Sequence, residues 1–154
     1  DLKFDEEAIK AGGKFANKLW NVARFAMWQI EITNNQHPTS NQSPITKSKN
    51  DETILKRLNE VISLVDKDLD EFKFGQAAHE LYDFVWHDLA DVYIEESKKE
   101  LNLPVLMHVI TSSIKLLHPI MPFVTEEIWQ SLYENKLVDE KLLIKAKWPN
   151  AESV

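Results

Sequence analysis

"AIKAGGKFANKLWNVARFAMWQI", residues 8 to 30, repeats its apolar residues every three or four positions over about six helical turns. At about 100° per residue, Phe15, Leu19, Val22, Ala23, Ala26 and Ile30 gather on one side. That spacing predicts an amphipathic α-helix whose apolar stripe faces a core. Asp5, followed by Glu6 and Glu7, supplies an N-cap and first-turn acids, so the helix is expected from about Glu6 to Thr33. The Gly12-Gly13 pair marks a place where it can kink.

Outward from this segment the same period recurs. Ile54, Leu58, Ile62, Val65, Leu69 and Phe72 form one stripe of a second helix starting near Asn50 or Asp51. After the "KFG" turn, a third helix from about Gly75 to Leu101 offers Ala78, Leu81, Val85, Leu89 and Val92 to the same core. Pro104 suits the first turn of a fourth helix, "HPIMP" interrupts it at Pro119, and Pro122 starts a fifth through "FVTEEIWQSLYEN". The terminal "LLIKAKWP" reads as extended, a short strand or arm. Residues 33–53 contain two prolines, many Asn, Ser and Thr, and Ile45 as their sole large apolar residue, which predicts a mobile connection. The expected fold is all-α: one domain over residues 1–154, an antiparallel helix bundle with a short C-terminal extended segment.

Composition narrows the function. At 154 residues the chain can bury a sizeable core, and 44% hydrophobic with 28% charged residues is ordinary for a soluble globular protein. It has no apolar run long enough for a membrane span, so no membrane partner is expected. The absence of cysteine excludes disulfides and thiolate metal sites and fits a reducing, cytoplasmic location. The chain opens on Asp1 rather than Met, so a piece of a longer protein is expected.

Charge singles out the opening helix. The chain has 25 acids against 18 bases, a net charge of −7, yet residues 8–30 carry Lys10, Lys14, Lys18 and Arg24 and no acid. The remainder therefore stands at −7 − 4 = −11. Opposite the apolar stripe, Lys14, Asn17, Lys18, Asn21, Arg24, Phe25 and Trp28 fall within an arc of about 120°. A solvated face normally mixes charge signs in i,i+4 pairs and avoids aromatic rings. This one suits single-stranded nucleic acid: cations for phosphates, rings for unstacked bases, amides for base edges. Spacing alone leaves two alternatives open, an interface with protein or with another helix of the bundle, and plain solvent exposure.

Catalytic constellations are missing. The chain contains no G-x-x-x-x-G-K-[ST], G-x-G-x-x-G or H-E-x-x-H, and none of its five histidines has a Glu three residues before it. Asp83, His87, Asp91 and Glu95 make a polar row, read as residues satisfying one another rather than a metal site. Glu126 and Glu127 read as first-turn acids after Pro122.

The stretch "LLHPIMPFVTEEIWQSL", Leu116 to Leu132, resembles the bundle-closing motif of class I aminoacyl-tRNA synthetases for branched aliphatic amino acids, in its valyl version. "GGKFANKLWNVARF", "FKFGQAAHELYDFVWHDLADVYIEESK" and "LLIKAKWP" agree with that family in order and spacing, so the resemblance covers nearly the whole chain outside residues 33–53. Asp51-Glu52-Thr53-Ile54-Leu55 and Asp91-Val92-Tyr93 depart from its usual Asp-Arg-Trp-Ile-Leu and Asp-Trp-Tyr. The resemblance implies an anticodon-binding bundle that holds the anticodon stem-loop of a valine tRNA, joined to the remainder of a synthetase chain. It carries loop contacts over to Lys18, Arg24 and Phe25, and less directly to Asn17 and Asn21. The family's H-I-G-H and K-M-S-K-S signatures are absent, so this stretch is expected to hold no cofactor, ATP and Mg²⁺ belonging to the parent enzyme. The isoleucyl and leucyl enzymes are the near alternatives, and a protein-binding bundle the distant one.

Overall fold

The computed structural model describes residues 6–36, 47–98 and 101–151. Among these residues five α-helices form a bundle: α1 (Glu6–Gln36), α2 (Lys49–Asp70), α3 (Phe74–Asp83), α4 (Leu103–Leu117) and α5 (Pro122–Glu134). A π-helical segment, Phe84–Ile94, continues α3 directly. No strand occurs among the described residues; the terminal segment expected as extended makes a single 3₁₀ turn, Leu143–Lys145, between extended flanks. The expected N-cap Asp5 and residues 37–46 of the connection lie outside the described residues.

The helices begin and end for local chemical reasons. The Ser48 side chain caps α2 by accepting from the Asp51 amide at 3.1 Å, and the Asp51 carboxylate accepts from the Ser48 amide at 2.8 Å. Such a reciprocal cap stabilises a helix start by about 1 kcal/mol. Asn102 caps α4 through the Val105 amide, with Pro104 in the first turn where its missing N–H costs nothing. Two helices end with a non-glycine residue in the left-handed region, Phe72 after α2 and Lys136 after α5. In both, the next amide reaches back to a carbonyl five residues earlier: Lys73 to Asp68 at 2.7 Å, and Leu137 to Leu132 at 2.9 Å. Phe72 is thereby turned outward, 79% exposed, rather than ending the α2 stripe as its spacing predicts.

The α1 stripe packs as its period requires: Phe15, Leu19, Val22, Ala23 and Ala26 are buried, and Ile30 half-buried. A fully buried Leu or Val contributes about 1.5–3 kcal/mol. α4 is the central helix, with Leu106, Val109, Ile110, Ile114, Leu116 and Leu117 all buried, and it packs against α1, α2, α3 and α5.

The third helix departs from the expected period. A π-helix bonds i to i+5 and so widens each turn by about one residue. Inward positions therefore come in pairs, Phe84 with Val85, Leu89 with Ala90, Tyr93 with Ile94. Val92, expected in the core from a 3.6-residue period, is 48% exposed, and Ala77 rather than Ala78 is the buried alanine upstream. Tyr93 instead turns inward and donates to Asp51 Oδ1 at 2.6 Å, while Asn102 Nδ2 donates to Asp51 Oδ2 at 3.2 Å. One buried carboxylate thus joins the start of α2, the end of the π-helical segment and the start of α4.

Candidate nucleic-acid interface

Among the described residues α1 rests on α4, α5 and the π-helical segment, which leaves its far side open. There Lys14, Asn17, Asn21 and Arg24 are exposed, and Trp28 is 56% exposed. Phe25 is half-buried: its ring packs against the core while part of it reaches the surface. Arg24 makes no ion pair with any described residue. A guanidinium, a broad exposed indole and two amides on one face can meet phosphate, base plane and base edge.

Lys18 is different. Its Nζ lies 2.9 Å from Asp91 Oδ1 and 5.3 Å above the Trp86 ring, which in turn stacks on Tyr82 at 5.4 Å. The hydrogen bond from Lys18, aided by the nearby His87, holds the Asp91 carboxyl below its ordinary range. Lys18, expected as an RNA contact, is thus half-buried and paired, and it ties α1 to the π-helical segment. Asp91 is 73 residues away in sequence, so no local pattern announces the pair.

Toward the C-terminal half of α1 an open groove of roughly 510 Å³ gathers Asn21, Arg24, Phe25 and Trp28. Met27 and Glu31 complete its α1 wall, and Asn135 closes it from the end of α5. The left-handed turn at Lys136 sets the Asn135 position, and its Nδ2 donates to Ser131 O at 2.8 Å while facing Met27 Sδ at 3.8 Å. Asn135 is beyond sequence reasoning, since only the fold brings it to α1. Glu31 was within reach: it sits three residues after Trp28, one position past the acid-free stretch.

The other polar candidates have structural work. His79 pairs with Asp83 at 3.3 Å, His87 with Asp91 at 3.5 Å, and Glu95 with Lys98. No group of three His or acidic residues able to hold a metal occurs among the described residues. Glu126 lies past the first turn of α5, contrary to the expectation for a first-turn acid; it accepts from Gln130 Nε2 at 2.6 Å and from the Leu143 amide at 3.2 Å, anchoring the terminal segment. Glu127 is also beyond that turn, and exposed.

The chain belongs to the family of anticodon-binding domains of tRNA ligases, whose model matches residues 51–154. That match begins after α1, but the curated relatives extend across it. The valine–tRNA ligase of Petrotoga mobilis is 41% identical over 162 aligned residues, covering 97% of this chain. Those of Carboxydothermus hydrogenoformans and Bacillus licheniformis are 40% and 38% identical over 99% and 98% of it. The chain spans only 17–18% of the length of these relatives. No described helix is long and apolar enough to cross a membrane.

Proposed function

We propose that this domain holds the anticodon stem-loop of a valine tRNA on the open face of α1, as one part of a cytoplasmic valine–tRNA ligase. The observation that carries the reading is the open groove in which Arg24, Asn21, Phe25 and Trp28 converge. In this reading the domain contributes binding alone, and ATP and Mg²⁺ serve the rest of the enzyme. Lys14 and Arg24 meet phosphates, Phe25 and Trp28 stack bases, and Asn17 and Asn21 meet polar edges. Lys18 lies at the edge of the face and fixes α1 against the π-helical segment.

Titration of the 154-residue chain with a labelled anticodon stem-loop at two salt concentrations tests this. Saturable binding, weaker at the higher salt, is expected. The absence of saturable binding at the lower salt overturns it. Stem-loops of isoleucine and leucine tRNAs, bound more weakly in this reading, separate valine specificity from general RNA affinity.

A further inference from the structure

The groove on α1 contains a group that a phosphate-binding surface does not need. Glu31 follows Arg24 by seven residues and Trp28 by three, so the three side chains lie along one line of the helix. It is exposed, and no described residue bonds to it. Arg24 shares the groove yet leaves it unpaired. A free carboxylate repels the RNA backbone and weakens a purely electrostatic site. Its position is useful only toward something that donates hydrogen bonds, and base edges do so while phosphates do not.

A carboxylate is acceptor-only, and it matches the exocyclic amino group of cytosine or its counterparts on adenine and guanine. Uracil answers it poorly, because two carbonyl oxygens flank its single N–H. Asn135 adds to the same demand. Its Nδ2 donates to Ser131 O and to Met27 Sδ, which leaves Oδ1 as the open group, and that is again an acceptor. Trp28, exposed between Arg24 and Glu31 on the helix line, offers the plane on which such a base would lie.

We propose that Glu31, with Asn135 across the groove, is a specificity-determining acceptor that selects a base bearing an exocyclic amino group over uracil at one position of the bound loop. The inference rests on the RNA reading above and deepens it. Glu31 touches the base edge, Trp28 its plane, and Arg24 a neighbouring phosphate.

The test uses the full chain and a labelled valine anticodon stem-loop, together with variants in which each loop adenine, cytosine and guanine is replaced in turn by uracil. For the unaltered protein one replacement is expected to weaken binding about tenfold, the effect of one well-placed base-edge contact. Glu31→Gln, which keeps shape but adds a donor, is expected to reduce that discrimination to about twofold or less without changing the melting temperature. Glu31→Ala is expected to do the same. The inference is overturned if the unaltered protein binds the loop but tolerates every uracil replacement within about twofold. It is also overturned if Glu31→Gln keeps the tenfold preference, or if both variants bind all loops more tightly by a common factor, which marks Glu31 as merely repulsive. Absence of saturable binding to every loop overturns the RNA reading itself, and this inference with it.

Discussion

Arg24 and Lys18 are six residues apart on one helix, both cationic, and their surroundings give them different tasks. The perturbation that separates them is the pair of single variants Arg24→Gln and Lys18→Gln, each removing one charge at similar size. A cation that neutralises a phosphate of single-stranded RNA contributes about 0.7 to the slope of log affinity against log salt. With Lys14 and Arg24 as the open cations of the face, the slope is about −1.4, and binding weakens roughly sevenfold between about 50 and 200 mM salt. Arg24→Gln is expected to halve that slope to about −0.7. Lys18→Gln is expected to leave it near −1.4, because Asp91 already holds that charge at 2.9 Å. Its effect belongs to stability instead. With Lys18 and Asp91 side chains 30% and 47% exposed, the pair contributes about 0.2–1 kcal/mol, read as a small fall in melting temperature. Fluorescence anisotropy of a labelled stem-loop across a salt series measures the slopes, and thermal unfolding measures the rest. If Lys18→Gln flattens the slope as much as Arg24→Gln does, the Asp91 pairing does not govern Lys18. Equal slopes in both variants and the parent put the cationic face elsewhere.

Phe25 serves two roles, so two variants are needed: Phe25→Leu keeps most of the core packing and is expected to lose about 1–3 kcal/mol of RNA affinity as one stacked base, whereas Phe25→Ala also lowers the melting temperature. Unchanged affinity in Phe25→Leu removes stacking from the account. Gly12→Ala and Gly13→Ala are each expected to stabilise the domain by about 0.5–1 kcal/mol in chemical denaturation, since both sit inside α1 and an added Cβ meets nothing within 4 Å. Burial of Asp51 opposes its ionisation, but the hydrogen bonds from Tyr93, Ser48 and Asn102 outweigh that and hold its carboxyl below 3.8. Its contribution is therefore full above that pH and lost as pH falls through the lowered value, so acid unfolding should steepen below about pH 4. Asp51→Asn should be less stable at pH 7 by about 1–3 kcal/mol and lose that difference in acid, as urea unfolding at several pH values will reveal.

Most of the scaffold was readable from local rules. Leu19, Val22, Ala23 and Ala26 mark the buried side of α1 because a straight α-helix repeats every 3.6 residues, and Pro104, Pro119 and Pro122 mark breaks because proline has no N–H to give. The errors occur where that single period or the local chain ceases to decide. Val92 and Tyr93 exchange places because the backbone bonds to i+5, which side-chain spacing does not announce. Phe72 is exposed because a left-handed turn, usually signalled by glycine, is here made by an aromatic residue. On the candidate face Arg24, Asn21, Phe25 and Trp28 were visible as a charge and aromatic pattern. The pairing of Lys18 with Asp91 and the arrival of Asn135 depend on contacts between distant parts of the chain.

The widened coil from Phe84 to Ile94 has a consequence beyond its own packing. It places Asp88 against Arg57 of α2 at 2.8 Å and Asp91 against Lys18 of α1, so one stretch grips both neighbours. Loss of a single residue ahead of Asp91 would turn it by about 100° and release Lys18. The electrical character of the surface offered by the first helix is thus governed by how tightly the third one is wound.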